Sequence, residues 1–254
     1  MNNERLADGV FEIVLEAPEI AARAVPGQFV NLYLPGGAML LPRPLGIADV
    51  SPPRTVTLVY AVVGAGTERL SQLPAGRRIC AMGPLGNGFL AKIRFTRLLL
   101  IGGGMGAAPL RFAARRFREP VHSELYIEAF LGFAAEPWGL ASFGAACDHV
   151  HVASDTQGAA AFHGTVVDLL EKRGRFCSSP GAGGTLALAC GPMPMLKAAA
   201  AWCEARGIPL RVSLEARMGC GYGACASCTC ETTAAQRKKI CTDGPCFDAE
   251  EILW

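Results

Sequence analysis

The residues of this chain that carry the most specific chemistry lie near its end. Cys220, Cys225, Cys228 and Cys241 stand in the pattern C-x4-C-x2-C-x12-C. The first three have the plant-type ligand spacing of a [2Fe–2S] cluster, with the fourth thiolate supplied from further along the chain. Beside and between the first three lie Gly219, Gly221, Gly223, Ala224, Ala226 and Ser227. A loop that curls round inorganic sulfides and brings backbone N–H groups close to them needs such small residues. Structural zinc usually joins two paired cysteine knuckles, and here one knuckle sits beside a longer step. Zinc, a disulfide framework, and a register in which Cys230 or Cys246 replaces one of the four remain the alternatives.

Other stretches suit nucleotide chemistry. Leu41-Pro42-Arg43-Pro44-Leu45-Gly46 holds an arginine between two prolines, a rigid cation suited to a diphosphate or to the electron-rich edge of a flavin; the plainer reading is a proline-rich loop with a solvated arginine. In Gly64-Ala65-Gly66-Thr67, glycines run into a helix start with Thr67 as its N-cap, an arrangement that presents N–H groups to an anion. Gly102-Gly103-Gly104-Met105-Gly106-Ala107-Ala108-Pro109 follows an apolar run and precedes a helical pattern. Gly102, Gly104 and Ala107 fit G-x-G-x-x-G/A, and Pro109 suits the first helical position. The alternative there is an ordinary strand-to-helix turn. Cys190-Gly191-Pro192 ends another apolar run. No histidine motif accompanies Cys190, which argues against a catalytic nucleophile. His122, His149, His151 and His163 read as structural or surface residues, and Cys80, Cys147, Cys177 and Cys203 as small buried ones.

The elements that must position these groups fall into three parts. Over residues 1–95, strand-like runs at Val10–Glu16, Gly27–Leu34, Thr55–Val63 and Arg77–Met82 are separated by proline and glycine turns, the pattern of an antiparallel barrel. A short helix is expected over Thr67–Leu73, and Gly83-Pro84-Leu85-Gly86-Asn87-Gly88-Phe89 reads as a tight turn or a domain junction. Over residues 96–211, strands at Arg97–Ile101, Glu124–Phe133, His149–Asp155 and Thr185–Cys190 alternate with helices after Pro109, at Thr165–Lys172 and after Pro194. That rhythm predicts a parallel sheet with helices on both faces and ligands beyond the carboxyl ends of its strands, where Asp155 also falls. Residues 212–254 form a tail too short to fold alone.

Net charge of +2 gives no electrostatic footprint for nucleic acid. Apolar content of 51% is ample for buried cores, and the mean hydropathy of +0.28 points to a subunit interface. No apolar run reaches the ~18 residues of a membrane span. The start, Met1-Asn2-Asn3-Glu4-Arg5, lacks the apolar core of a signal peptide. With eleven cysteines, the expectation is a reducing cytoplasm.

In their order, Arg43-Pro44-Leu45-Gly46, the glycine turns and Cys190-Gly191-Pro192-Met193-Pro194-Met195 resemble the ferredoxin–NADP reductase superfamily. Its flavin domain carries an Arg-Pro-x-Ser/Thr motif, and its nucleotide domain carries a Cys-Gly-Pro-x-x-Met signature. Gly46 departs from the pattern by replacing the hydroxyl residue. The resemblance implies FAD contacts from Arg43, Pro44, Leu45, Gly46, Tyr60, Ala61, Val62, Gly66 and Thr67. It implies nicotinamide dinucleotide contacts from Gly102, Gly104, Gly106, Ala107, Pro109, Asp155, Gly191 and Pro192, with Cys190 where nicotinamide meets flavin. The short tail, with Ser213-Leu214-Glu215-Ala216-Arg217-Met218 before its cysteines and Cys241-Thr242-Asp243-Gly244-Pro245 after them, is similar to the electron-transfer subunits of NAD-linked bacterial dihydroorotate dehydrogenases. This implies an oxidoreductase subunit moving electrons between NAD(H), FAD, a [2Fe–2S] cluster and an FMN-containing catalytic partner, in a heterotetramer. The alternative is a subunit of a sulfide dehydrogenase or of a ferredoxin:NADP transhydrogenase. NAD and NADP both stay open at this point: Asp155 is acidic, and Arg111, Arg115 and Arg116 are cations that could meet a 2′-phosphate.

Overall fold

A computed structural model describes residues 2–36, 39–51, 53–89, 93–119, 124–174 and 184–254. Cys177 and His122 lie outside the described residues, as does Pro52.

The first sheet contains β1 (Asn2–Ala7), β2 (Val10–Glu16), β3 (Phe29–Tyr33), β4 (Arg43–Ser51), β5 (Thr55–Ala61) and β6 (Cys80–Leu85). Their order is β1-β2-β5-β4-β3-β6, with every pairing antiparallel. Alternation along the strands sends Ile13 and Leu15, Val30 and Leu32, and Val56, Leu58 and Tyr60 to a common core. Two elements differ from expectation. Residues 2–7, polar and without alternation, form β1 because β2 offers a full antiparallel edge to pair with. Arg43 and Pro44 open a nine-residue strand instead of lying in a loop. Pro44 is tolerated because the β4–β5 register begins only at Ile47, so the edge of Arg43–Gly46 away from β3 is not needed for pairing. β6 likewise runs through Gly83 and Pro84 instead of ending at them, which an edge strand permits.

The second sheet has the order β10-β9-β8-β7-β11-β12-β15. Its strands are β7 (Phe95–Gly103), β8 (Tyr126–Phe133), β9 (His149–Ser154), β10 (Phe162–His163), β11 (Gly184–Cys190), β12 (Leu210–Ser213) and β15 (Cys246–Asp248). All pairs are parallel except β12–β15. β7 shows why an unbroken apolar run is required: Leu98 and Leu100 enter the core on one face, Leu99 and Ile101 the core on the other. Two short helices, α1 (Pro18–Ala21) and α2 (Ala65–Ser71), belong to the first part of the chain; in the second, α3 (Ala107–Phe117) and α4 (Leu140–Gly144) cover one face of the sheet, α5 (Val166–Arg173) and α6 (Met193–Glu204) the other. Thr165 caps α5, accepting from Asp168 N–H while the Asp168 carboxylate accepts from Thr165 N–H.

α3 begins at Ala107 after a 3-10 turn at Gly104–Gly106, so Pro109 is its third residue, not its first. The helix also binds the two sheets together. Phe112 enters the core of the antiparallel sheet, Arg111 pairs with Glu12 at 2.7 Å, and Arg115 pairs with Asp49 at 2.7 Å.

Between β12 and β15 the chain forms the cysteine loop and a hairpin of β13 (Thr229–Glu231) and β14 (Arg237–Lys239). β15 then returns as the seventh strand of the large sheet, with Ser213 opposite Cys246. The tail therefore shares backbone pairing and a hydrophobic core with the preceding residues, including Cys228, Ile240, Cys241, Phe247 and Ile252. No helix among the described residues is long and apolar enough to cross a membrane.

Candidate functional site

The open edge of β4 borders a cavity of about 730 Å³ between the two sheets, a volume in the range of cofactor sites. Arg43, Pro44, Leu45, Gly46, Tyr60, Ala61, Gly66 and Thr67 line it on one side. Pro109 and Cys190 line it on the other, together with Met105, Ala108 and the run Ser213 to Met218. Of the residues expected to touch flavin, Val62 is not in the lining; it packs against the antiparallel core, and its neighbour Val63 takes the rim. Tyr60 lies in that core with its hydroxyl donating to Asn3 Oδ1 at 2.9 Å, so the hydroxyl is committed away from the cavity.

α2 (Ala65–Ser71) is preceded by Gly64 as its N-cap residue, and Thr67 sits inside the first turn, not at the cap. The Thr67 hydroxyl accepts from Val63 N–H at 2.9 Å and from Gly64 N–H at 3.3 Å. Those two donors are thus satisfied internally. The anion-directed group is instead Arg43: its Nη2 donates to Leu41 O at 2.8 Å, while its Nε is buried with no hydrogen-bond partner. A buried guanidinium nitrogen without an acceptor is costly, and an anionic or electron-rich group in this cavity would satisfy it. The residues present therefore fit a flavin nucleotide. Gly46 has a steric cause: a β-carbon there would stand 2.9 Å from Pro109 Cγ. The ring of Pro109 occupies the space into which a larger residue at 46 would project.

The far wall lies at the point where the chain order of the second sheet reverses, between β7 and β11, the place where such sheets bind nucleotides. Two turns pack back to back there. A β-carbon on Gly106 would lie 2.1 Å from Cys190 O, and one on Gly191 would lie 3.0 Å from Gly103 N. Gly102 is closed in by Leu131 and Ala107, and Gly104 takes a positive φ of 52° in the 3-10 turn. Gly102, Gly104, Gly106, Ala107, Gly191 and Pro192 are thus gathered at one sheet end, just behind the cavity. Asp155 stands apart, at the end of β9, with its N–H donating to Phe133 O at 3.0 Å. Cys190 is 1% exposed, and burial raises its thiol far above the ordinary range, with Glu215, Cys246 and Ser213 beside it. It is held as a neutral thiol at the cavity wall. Glu215 lines the same wall near the mouth, where lost hydration raises its carboxyl above the usual range. Arg111, Arg115 and Arg116 are all ion-paired, to Glu12, Asp49 and Glu119 respectively.

The wall segment 213–218 runs directly into the cysteine loop. Cys220 N–H points to Cys225 Sγ and Cys225 N–H to Cys220 Sγ, both at 3.4 Å, and Ser227 Oγ lies 3.2 Å from Cys225 Sγ. These hydrogen bonds, chiefly from Ser227, lower the Cys225 thiol to about 6. Cys228 and Cys241 form a second, buried pair. Burial and the adjoining Cys228 push the Cys241 thiol up to about 11. Four thiols arranged as two pairs suit two irons with two thiolates each. The donor set therefore fits a binuclear cluster better than zinc. Cys230 lies on β13, and Cys246 is buried on β15 with its thiol near Gly27 O.

The segment 213–218 and the GPLGNGF turn were not anticipated as parts of the site. Asn87 Nδ2 donates to Asp243 O at 2.8 Å and Cys246 O at 2.9 Å, and its Oδ1 accepts from Cys246 N–H at 2.9 Å. The backbone N–H of Asn87 donates to Gly244 O at 2.6 Å. The only sequence signal for this clamp was an asparagine between two glycines.

A family profile described as the iron–sulfur cluster binding domain of dihydroorotate dehydrogenase B matches residues 215–253. The dihydroorotate dehydrogenase B (NAD(+)) electron transfer subunit of Shouchella clausii is 36% identical over 253 residues, covering 96% of this chain and 92% of that one. The same subunit from Geobacillus thermodenitrificans is 35% identical over 261 residues, covering 100% and 96%. Among solved structures, the NADH-dependent reduced ferredoxin–NADP oxidoreductase studied for flavin-based electron bifurcation superposes with a TM-score of 0.81 at 30% identity, covering 100% of this chain and 88% of that one. With the cavity, the paired thiols and near-full-length identity in agreement, the chain belongs to the family of dihydroorotate dehydrogenase B electron transfer subunits.

Proposed function

We propose that this chain passes electrons between NAD(H) and an FMN-containing catalytic subunit that oxidises dihydroorotate to orotate, by way of FAD and a [2Fe–2S] cluster held in this chain. The observation that carries the reading is the segment 213–218, which lines the nucleotide cavity at one end and enters the cysteine loop at the other. When bound, FAD exchanges a hydride with nicotinamide and single electrons with the cluster. The chain's own residues hold and insulate these groups. Arg43 offers its unpartnered Nε to the flavin nucleotide, and Gly66 leaves room for the guanidinium. The turns at Gly102–Ala107 and Cys190–Pro192 leave the sheet end open to a dinucleotide. Neutral Cys190 forms the cavity wall beside the turns that would hold the dinucleotide, and Cys220, Cys225, Cys228 and Cys241 would hold the cluster. Cys225, exposed at the loop tip beside Tyr222, marks the face turned to the partner. We place the reaction in the cytoplasm, in a heterotetramer of two kinds of subunit.

The test is to purify the native complex. Flavin and cluster absorbance in this chain, FMN in the partner, and NAD reduction driven by dihydroorotate are the expected results. A partner without FMN and no dihydroorotate-driven NAD reduction would overturn the assignment of substrate. The 30% identity to the ferredoxin–NADP oxidoreductase favours a second reading, in which the same carriers serve another partner. Against a 2′-phosphate stands the ion pairing of Arg111, Arg115 and Arg116, which supports NAD as the dinucleotide.

A further inference from the structure

Asn31 is fully buried in the middle of β3, in a run otherwise made of Phe29, Val30, Leu32 and Tyr33. A polar amide in such a strand is costly unless its hydrogen bonds are met. Asn31 meets only one side of that demand. Its Nδ2 donates to Cys220 O at 2.8 Å, across 189 residues of sequence, while its Oδ1 is buried with no partner. The cysteine loop is shaped to receive it: Gly221 takes φ +77°, and a β-carbon there would stand 2.3 Å from Asn31 Nδ2.

The position of Asn31 gives this contact its meaning. In the strand register its neighbours are Pro44 on β4 and Met82 on β6. Pro44 lines the cavity, and so does Met218, two residues before Cys220. The amide therefore joins the cavity wall to the backbone of the ligand cysteine that follows that wall. Electron exchange between two fixed groups weakens steeply with their separation, so a ligand carbonyl tied to a rigid strand fixes the rate. Asparagine supplies a donor of the right reach without charge. An aliphatic residue of similar size would fill the space without holding Cys220.

We infer that Asn31 is a positioning residue for electron passage between flavin and cluster, setting the place of Cys220 through its amide. This rests on the electron-transfer reading above. The test uses the purified flavin- and cluster-containing chain with Asn31→Leu. After mixing with NADH, flavin and cluster bleaching are followed separately, and the paramagnetic spectrum of the reduced cluster and its loss to a chelator are recorded. The expected result is a cluster step slowed several-fold relative to the flavin step, with an altered cluster spectrum and faster loss to chelator. An unchanged cluster step, or equal slowing of both steps, would overturn the inference. Should Asn31→Leu purify without cluster, Asn31→Ser is read by the same criteria, since its shorter side chain keeps a polar group in the strand but does not reach Cys220 O. A wild-type chain lacking cluster absorbance and paramagnetic signal would instead overturn the electron-transfer reading itself.

Discussion

The guanidinium of Arg43 lies across the backbone of Gly66, so close that a β-carbon at position 66 would stand 2.4 Å from Nη1 and 3.0 Å from Cδ. Two motifs separated by more than twenty residues thus meet in one stretch of cavity wall, the cation from β4 and the space for it from α2. Gly66→Ala is helix-favouring, and Arg43 is flexible at its far end, so stability should change by less than about 1 kcal/mol. The displaced guanidinium should nonetheless reduce FAD retention. Flavin absorbance per chain after gel filtration measures this, and full flavin occupancy in Gly66→Ala would contradict the arrangement.

Gly46 and Pro109 make the reverse prediction for a residue that looks like a defect. Restoring the hydroxyl with Gly46→Ser drives the new β-carbon into a proline ring that a helix holds in place. The expected cost is about 1–3 kcal/mol from overpacking, seen as a lower Tm. Pro109→Ala should relieve most of it, so the double variant should be more stable than the sum of the singles predicts. Additive effects would show that the two residues do not compete for the space.

Asn87 clamps the tail by three side-chain hydrogen bonds to residues 243 and 246. Asn87→Ala leaves those backbone groups without partners at a cost of about 1–3 kcal/mol. Because the clamp closes the far side of the segment carrying Cys241, the variant should also surrender its cluster to a chelator faster than wild type. Identical chelation kinetics and Tm would remove Asn87 from the account.

Shifted thiols should lower the folding stability in alkaline solution. Lost hydration pushes the buried Cys203 and Cys246, and the partly buried Cys147, up to about 12 from an ordinary 9. Above pH 9 the unfolded chain releases these protons while the folded chain keeps them. Their contribution is complete below pH 9 and is lost as pH rises toward 12. Cys203→Ala should lower Tm at neutral pH through lost packing, and the gap to wild type should narrow as pH rises above 9. A gap that stays constant with pH would refute the assignment for Cys203.

By itself the sequence determined what is local. The cysteine spacing and the apolar run 97–101 with its glycine turn are set by residues within a few positions of one another. Periodicity and steric rules act over that range, so most strands of both sheets were legible. β1 was not, because its residues are polar and only the free edge of β2 makes them a strand. The early part of β4 was hidden for a similar reason: whether Arg43-Pro44 pairs depends on where β5 begins its register. Tertiary structure alone decided the rest. It placed Pro109 against Gly46, committed Arg111 and Arg115 to the antiparallel sheet, returned Cys246 to the large sheet beside Ser213, and set Asn31 under Cys220. Each of these is a contact between residues far apart in the chain, fixed by how two sheets and a shared helix pack, and no local pattern records it.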